Sequence, residues 1–199
     1  IITGNEGTNS ESAAIIDADS QMDKDDGQRY NIGSFSLDST AKGRHAANEL
    51  ITKTEKIIIK DGITTINSAA FASFQSLTKI TIPNSVKKIG DFALKDCKRL
   101  QQITIPASVV KIGGGAFENC TNLYDIKFES GSNCNSMENY PNNPGSSPIQ
   151  NCKSLRTFQM PNRIKYISKY FFEGCNSLES VSFGKNFLGY QMTFGDENI

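Results

Sequence analysis

The sequence predicts an α/β repeat solenoid built from 23-residue repeats. Three observations carry this expectation: a pattern that restarts at a fixed interval, strand-type alternation at the head of each copy, and a helix-type stripe further along. The pattern starts at Ile57 and recurs at Ile80, Ile103 and Ile126; it resumes at Phe158, nine residues beyond the period, and again at Val181. Internal repetition of this length marks a coil of stacked units, each of which buries its apolar face only against its neighbours.

The strand comes first in each copy. Lys79-Ile80-Thr81-Ile82 alternates polar and apolar residues and stops at Pro83, which cannot donate to a ladder. The inner slot two residues after each start holds Ile59, Ile82, Ile105, Phe128, Met160 and Phe183. A second extended segment follows and ends at Ile66, Ile89, Ile112 and Ile167. Ala93, Leu94, Cys97 and Leu100 are then spaced i, i+1, i+4, i+7, one stripe of a short helix. Each copy closes on a leucine: Leu77, Leu100, Leu123, Leu155 and Leu178. Strands about 4.8 Å apart would make six of them a sheet roughly 25 Å wide.

The stretches LTKITIPNSVKKIGDFALKDCKRL and LQQITIPASVVKIGGGAFENCTNL closely resemble the leucine-rich repeats of BspA-like bacterial surface proteins, with the signature I-P-x-S-V-x-x-I-G-x-x-A-F-x-x-C-x-x-L. The first copy has Lys60 in place of the proline, the Phe158 copy keeps Pro161 but has Phe171 for the alanine, and the Ile126 copy loses the middle of the motif. The resemblance covers about residues 57 to 190. It implies a right-handed leucine-rich repeat coil, a parallel sheet on the concave face and short helical turns opposite. It also implies a cell-surface or secreted module, reached after removal of a signal or lipoprotein segment, that adheres to host extracellular matrix proteins or to other cells. The motif is specific for the fold and not for a ligand.

Composition excludes other classes. Twenty-one basic and 21 acidic residues leave a net charge of zero, with no basic excess to meet nucleic-acid phosphates or an anionic membrane. No apolar run approaches a membrane span, so direct membrane insertion of this segment is not expected. The chain reads as a mature fragment, and as a monomer. A single histidine, His45, and the lack of any serine or cysteine on a glycine elbow argue against catalysis; no cofactor is expected. Gly113-Gly114-Gly115 occupies the turn where the preceding copy has Gly90-Asp91-Phe92, so it reads as turn chemistry and not as a phosphate cradle.

Three regions are expected. Residues 1–31 are polar and acidic, a linker or an extended N-terminal segment. Asp17, Asp19, Asp23, Asp25, Asp26 and Gly27 miss the register of a calcium-binding loop, which requires glycine sixth, and read as solvated. Residues 32–56 form a degenerate N-terminal capping repeat: one period back from the first copy, Ala47 falls in the alanine slot and Ile51 in the cysteine slot, while Phe35 and Leu37 lie one residue off the strand slots. Residues 57–199 form the repeat domain, five copies and a partial sixth, with a loop insertion at 131–148.

Four of the five cysteines, Cys97, Cys120, Cys152 and Cys175, share one repeat slot, filled in the first copy by Phe74. Side chains stacked about 4.8 Å apart are too far for a disulfide, whose β-carbons want about 3.8 Å. A metal ladder would need a second ligand set, and an aromatic cannot replace a ligand; these thiols read as buried small hydrophobes. Cys134, in a polar segment outside the slot, reads as the one able to react or to pair intermolecularly.

Two surfaces could meet a partner. The polar strand face carries Lys79, Thr81, Gln102, Thr104, Asp125 and Lys127 along its middle, with Tyr124 and Arg156 as the anchor types. The 131–148 excursion, rich in Asn, Gly, Ser and Pro, offers Met137, Tyr140 and Cys134. The expected function is non-catalytic interaction with a protein or glycoprotein. The alternatives are a structural spacer within a larger surface protein and, third, a hidden enzyme.

Overall fold

The computed structural model describes residues 13–16, 31–32, 51–137, 139 and 146–190. Two columns of short strands run along the coil. The first holds β1 (Ala13–Ile16), β3 (Lys56–Ile59), β5 (Lys79–Thr81), β7 (Gln102–Ile105), β9 (Asp125–Phe128), β11 (Thr157–Gln159) and β13 (Ser180–Ser182). The second holds β2 (Asn31–Ile32), β4 (Thr65–Ile66), β6 (Lys88–Ile89), β8 (Lys111–Ile112), β10 (Ser136–Met137), β12 (Tyr166–Ile167) and β14 (Gly189–Tyr190). Every pairing is parallel and in repeat register, with Ile57 opposite Ile80 and Ile66 opposite Ile89 opposite Ile112. The alternation seen in sequence sets the faces: in β7, Ile103 and Ile105 point inward while Gln102 and Thr104 stay exposed.

One continuous core fills the coil, made from the inner strand slots, the closing leucines and the cysteine slot. Leu77, Leu94, Leu100, Phe117 and Leu155 have no accessible surface. Apolar area removed from water, at about 25 cal/mol per Å², is the main stabilising term in such a stack.

Apart from residues 51–53, the side opposite the first strand column is built from turns and not from helix. Within each coil, alternate amides bond forward to the next coil: Phe92, Leu94 and Asp96 donate to the carbonyls of Gly114, Ala116 and Glu118 at 2.8–2.9 Å. The amides between them close tight turns instead, as when Lys95 donates to Phe92 at 3.1 Å. The i, i+1, i+4, i+7 stripe is therefore made by two successive turns. Left-handed residues at Phe92 (φ 56°) and Asp96 (φ 62°), matched by Gly115 and Asn119 one coil on, redirect the chain and turn those donors along the stack. The molecule is a parallel β-solenoid whose third side is a ladder of turns.

The fourth coil also departs from expectation. Residues 131–148 do not leave the stack as one loop. Met137 pairs with Ile112 in the second strand column and is buried, and Cys134 is fully buried in the slot held by Val109 one coil earlier. The chain slips by two residues between Phe128 and Cys134, and the rest of the extra length follows Met137. Ser147 secures the return: its buried hydroxyl donates to the Phe171 carbonyl at 2.6 Å. The expectation that Cys134 and Met137 are exposed contacts is overturned, because both are used to fill core slots that would otherwise be voids.

At the N-terminal end, β1 pairs in register with β3, Ala13 opposite Lys56, so part of the stretch read as a linker lies against the first copy. Ile51 packs half-buried against the core. Ala47, Phe35, Leu37, His45 and the acidic stretch at 17–27 lie outside the described residues.

Candidate functional site

The cysteine slot, the most chemically suggestive column, is structural. Each thiol donates to a carbonyl one coil back: Cys97 to Phe71 at 3.1 Å, Cys120 to Leu94 at 3.2 Å, Cys152 to Phe117 and Cys175 to Ile149 at 3.3 Å. The Leu94 carbonyl already accepts the Cys97 amide at 3.2 Å, so the next coil's thiol occupies its second lone pair. A residue here must be small, apolar and a weak donor, a combination that cysteine supplies. All five cysteines are free and buried. Burial pushes the Cys97 and Cys134 thiols up to about 12 and Cys175 to about 11, far from a reactive thiolate. Among the described residues, no group of three or more His, Cys, Asp or Glu side chains could hold a metal ion.

The strand face is different. Its column is not one sheet: β1-β3-β5, β7-β9 and β11-β13 are separately bonded, while behind it β2-β4-β6-β8-β10 runs unbroken and β12-β14 forms a separate pair. The two seams, β5/β7 and β9/β11, share one feature. At the β7/β9 join the Glu129 amide donates to the Ile105 carbonyl at 3.0 Å. One coil earlier the equivalent donor is Pro106, and at the other seam it is Pro161, neither of which has an N–H. Loss of that terminal bond leaves strands of only three or four residues to hold the join, though β5 keeps its pairing with β3 despite Pro83.

The two seams are filled differently. Phe128 and Phe158 meet edge to face across β9/β11, ring centroids 6.2 Å apart, with Phe171 and Phe172 packed behind. The β5/β7 seam has no aromatic and opens as a cleft of about 630 Å³. Ile80 and Ile82 line its floor, Lys56 and Lys79 supply cations, and Thr78, Thr81 and Thr104 supply hydroxyls. Gln101 and Gln102 add amides, and Glu129 one carboxylate, fixed by accepting the Ala107 amide at 3.1 Å.

Of the residues singled out from sequence, Tyr124 and Arg156 occupy equivalent exposed positions one coil apart, at the start of β9 and β11. Tyr124 is joined to the cleft wall, its hydroxyl accepting from the Gln102 amide. Met137 is in the core, and Tyr140 lies outside the described residues. Sequence reasoning placed the threonines and glutamines on this face but missed the cleft; Pro106 was the available signal.

The geometry defines a class, a parallel repeat solenoid with a polar strand face and a packed turn ladder. A family profile described as the BspA type leucine rich repeat region matches the chain in six copies, over residues 48–143 and 137–194. The chain belongs to the BspA-type leucine-rich repeat family. Its fold is similar to that of a T. pallidum leucine-rich repeat protein, with a TM-score of 0.58 and 19% identity over 88% of this chain and 74% of that one. The pneumococcal vaccine antigen PcpA aligns with a TM-score of 0.52 and 21% identity over 77% of this chain. A Bacteroides ovatus leucine-rich repeat protein gives 0.50 and 22% over 94% of this chain. The chain spans 34% of PcpA and 52% of the Bacteroides protein. No curated protein matches it. The matched family is one of repeat scaffolds and not of enzymes, and among the described residues no helix is long and apolar enough to cross a membrane.

Proposed function

We propose that this chain is a non-catalytic interaction module, displayed extracellularly or at a cell surface, that binds a protein or glycoprotein partner through its strand face. A monomer is the working unit, and host extracellular matrix glycoproteins are the first partners to test. The right-handed coil with its strand column on the concave side belongs to this reading, since that arrangement turns the polar face toward a partner. The observation that carries it is the β5/β7 cleft: a polar concavity on the outside of a rigid stack, where binding groups concentrate. Tyr124 and Arg156 extend the same edge, and Tyr140 of the inserted stretch is the second candidate contact.

The test is binding of the purified chain to immobilised matrix glycoproteins, beside a Tyr124→Ala/Arg156→Ala variant and one with residues 138–145 replaced by a short glycine-serine turn. Saturable binding weakened by the double substitution supports the strand face. Binding lost only with the loop would move the site there, and no binding by any form would favour a spacer role.

A further inference from the structure

A formal charge of zero hides an uneven distribution over the three sides of the coil. In the second strand column two residues of each coil point outward between buried neighbours, as Lys87 and Lys88 do between Val86 and Ile89. Along the coil these outward positions hold Lys87, Lys88, Lys111 and Lys165, and no aspartate or glutamate among the described residues. Arg163 adds a further exposed cation at the adjoining corner. The corner acids Asp91 and Glu129 are turned to the backbone amides of Gly114 and Ala107, and Asp61 adjoins Lys60 in the first coil. Lys111 already has a contact of its own, whereas the side chains of Lys87, Lys88, Arg163 and Lys165 have no acidic partner among the described residues. The other two sides mix signs, as in Lys79 and Asp125 or Lys95 and Glu118. A row of one sign on a rigid stack focuses its field along the coil axis.

One aromatic platform lies in that row. Tyr166 is 47% exposed next to Lys165, and opposite it on the paired strand is Gly189, which has no side chain to cover the ring. The space there is open: no atom lies within 4 Å of where a β-carbon on Gly189 would stand. The neighbouring Tyr170 is not a second platform, because the Lys169 ammonium lies over its ring, 5.6 Å from the centroid. Lys87 and Lys165 are three coils apart, roughly 14 Å at about 4.8 Å per coil, so a ligand that meets both is an extended chain. Cations along a line with a single ring fit a polysaccharide that bears anionic groups, one sugar packing its C–H face on the electron-rich tyrosine. A single-stranded nucleic acid fits less well, since its successive bases want several rings. Sulfate esters suit lysine: they stay ionised and present three acceptor oxygens to the three donors of an ammonium. We propose that the outward face of the second strand column binds a sulfated polysaccharide, its sulfates held by Lys87, Lys88, Arg163 and Lys165 and one sugar ring by Tyr166. The choice of an extracellular glycan rests on the surface-displayed reading above, and this side of the coil is separate from the strand face that takes the protein partner.

Biolayer interferometry of the full chain against immobilised dextran sulfate, unsulfated dextran and polyuridylate tests this, using wild type, Lys87→Gln/Lys88→Gln, Tyr166→Ala and, on the strand face, Lys127→Gln. Saturable binding of dextran sulfate is expected, weakened about tenfold or more by the double substitution, with affinity falling as salt rises and unsulfated dextran not bound. Tyr166→Ala should weaken binding severalfold and leave its salt dependence unchanged, because the ring carries no charge. Lys127→Gln removes a lysine from a different side and should leave binding unchanged. All four side chains are exposed, so an unchanged circular dichroism melt shows that the variants fold. Dextran sulfate binding that is absent, or that Lys127→Gln weakens as much as the double substitution does, overturns the site. An inert Tyr166→Ala, or polyuridylate bound as tightly as dextran sulfate, overturns the polysaccharide assignment. If glycoprotein binding by the strand face persists while dextran sulfate is not bound, this inference fails and the interaction module stands; if neither binds, both fail.

Discussion

The two sides of a single coil are built from the same 23 residues yet held together unlike each other. On the turn side, Phe92, Leu94 and Asp96 each give a backbone bond to the next coil, Asn119 and Asn151 add side-chain amide bonds at 3.0 Å along the stack, and buried thiols cap the carbonyls behind. On the strand side, the column breaks at β5/β7 and β9/β11, and only the second break is sealed by phenylalanines. Stack cohesion thus resides in the turns and, as far as β10, in the second strand column. The outward strand face is released from carrying the stack and is free to hold a polar cleft.

Substitutions on the turn side should sharpen this contrast most. Phe117→Ala removes a fully buried ring between coils, and a loss of about 3–5 kcal/mol is expected by urea unfolding. Cys120→Ala should cost less, about 1–2 kcal/mol, for the thiol contact with the Leu94 carbonyl and the small void left behind. Cys120→Leu should be worse than Cys120→Ala, since the slot has no room.

The same thiols predict an alkaline limit. A folded Cys97 near 12 keeps a proton that the unfolded chain gives up above its ordinary value of 9.0, so deprotonation favours unfolding. The contribution is fully present below pH 9 and is lost as pH rises toward 12, by about 1.4 kcal/mol per pH unit for each such thiol. Removing Cys97 should flatten the slope of stability against pH in this window; an unchanged slope would contradict the burial assigned to it. Rapid alkylation of Cys134 in the native protein would equally contradict its place in the core.

Strand-side changes should be small in stability and larger in the cleft. Pro106→Ala restores the N–H that can reach the Ile82 carbonyl, so it should add exchange protection at the seam and narrow the cleft. Lys79→Gln should change stability by no more than about 0.5 kcal/mol, as surface substitutions do. A large loss there would mean that the strand face carries the stack after all.

Much of this fold was legible as period and slot. Ile57, Ile80, Ile103 and Ile126 announced the strand column, and the leucine and cysteine slots announced the core. The turn ladder was hidden because its spacing is that of a helix, and the residue that breaks the helix, Phe92 with φ 56°, carries no glycine to signal it. Cys134 and Met137 were hidden by a two-residue slip; their mutual spacing of three, equal to that of Val109 and Ile112, was the clue that they resume the register. Tyr124 and Arg156 could be placed on a face, but a cleft depends on which backbone bonds fail to form, and only Pro106 hinted at that.

Amide hydrogen exchange followed by NMR tests the division of labour between the two sides most directly. Ladder bonds alternate along a parallel strand, so the N–H groups of Gln102 and Thr104 face the β5 seam while those of Ile103 and Ile105 face β9. Fast exchange at Gln102 and Thr104, beside slow exchange at Ile103, Ile105, Phe92, Leu94 and Asp96, is the predicted result. Uniform protection from 102 to 105, as slow as in the turns, would show a closed strand column and contradict the account.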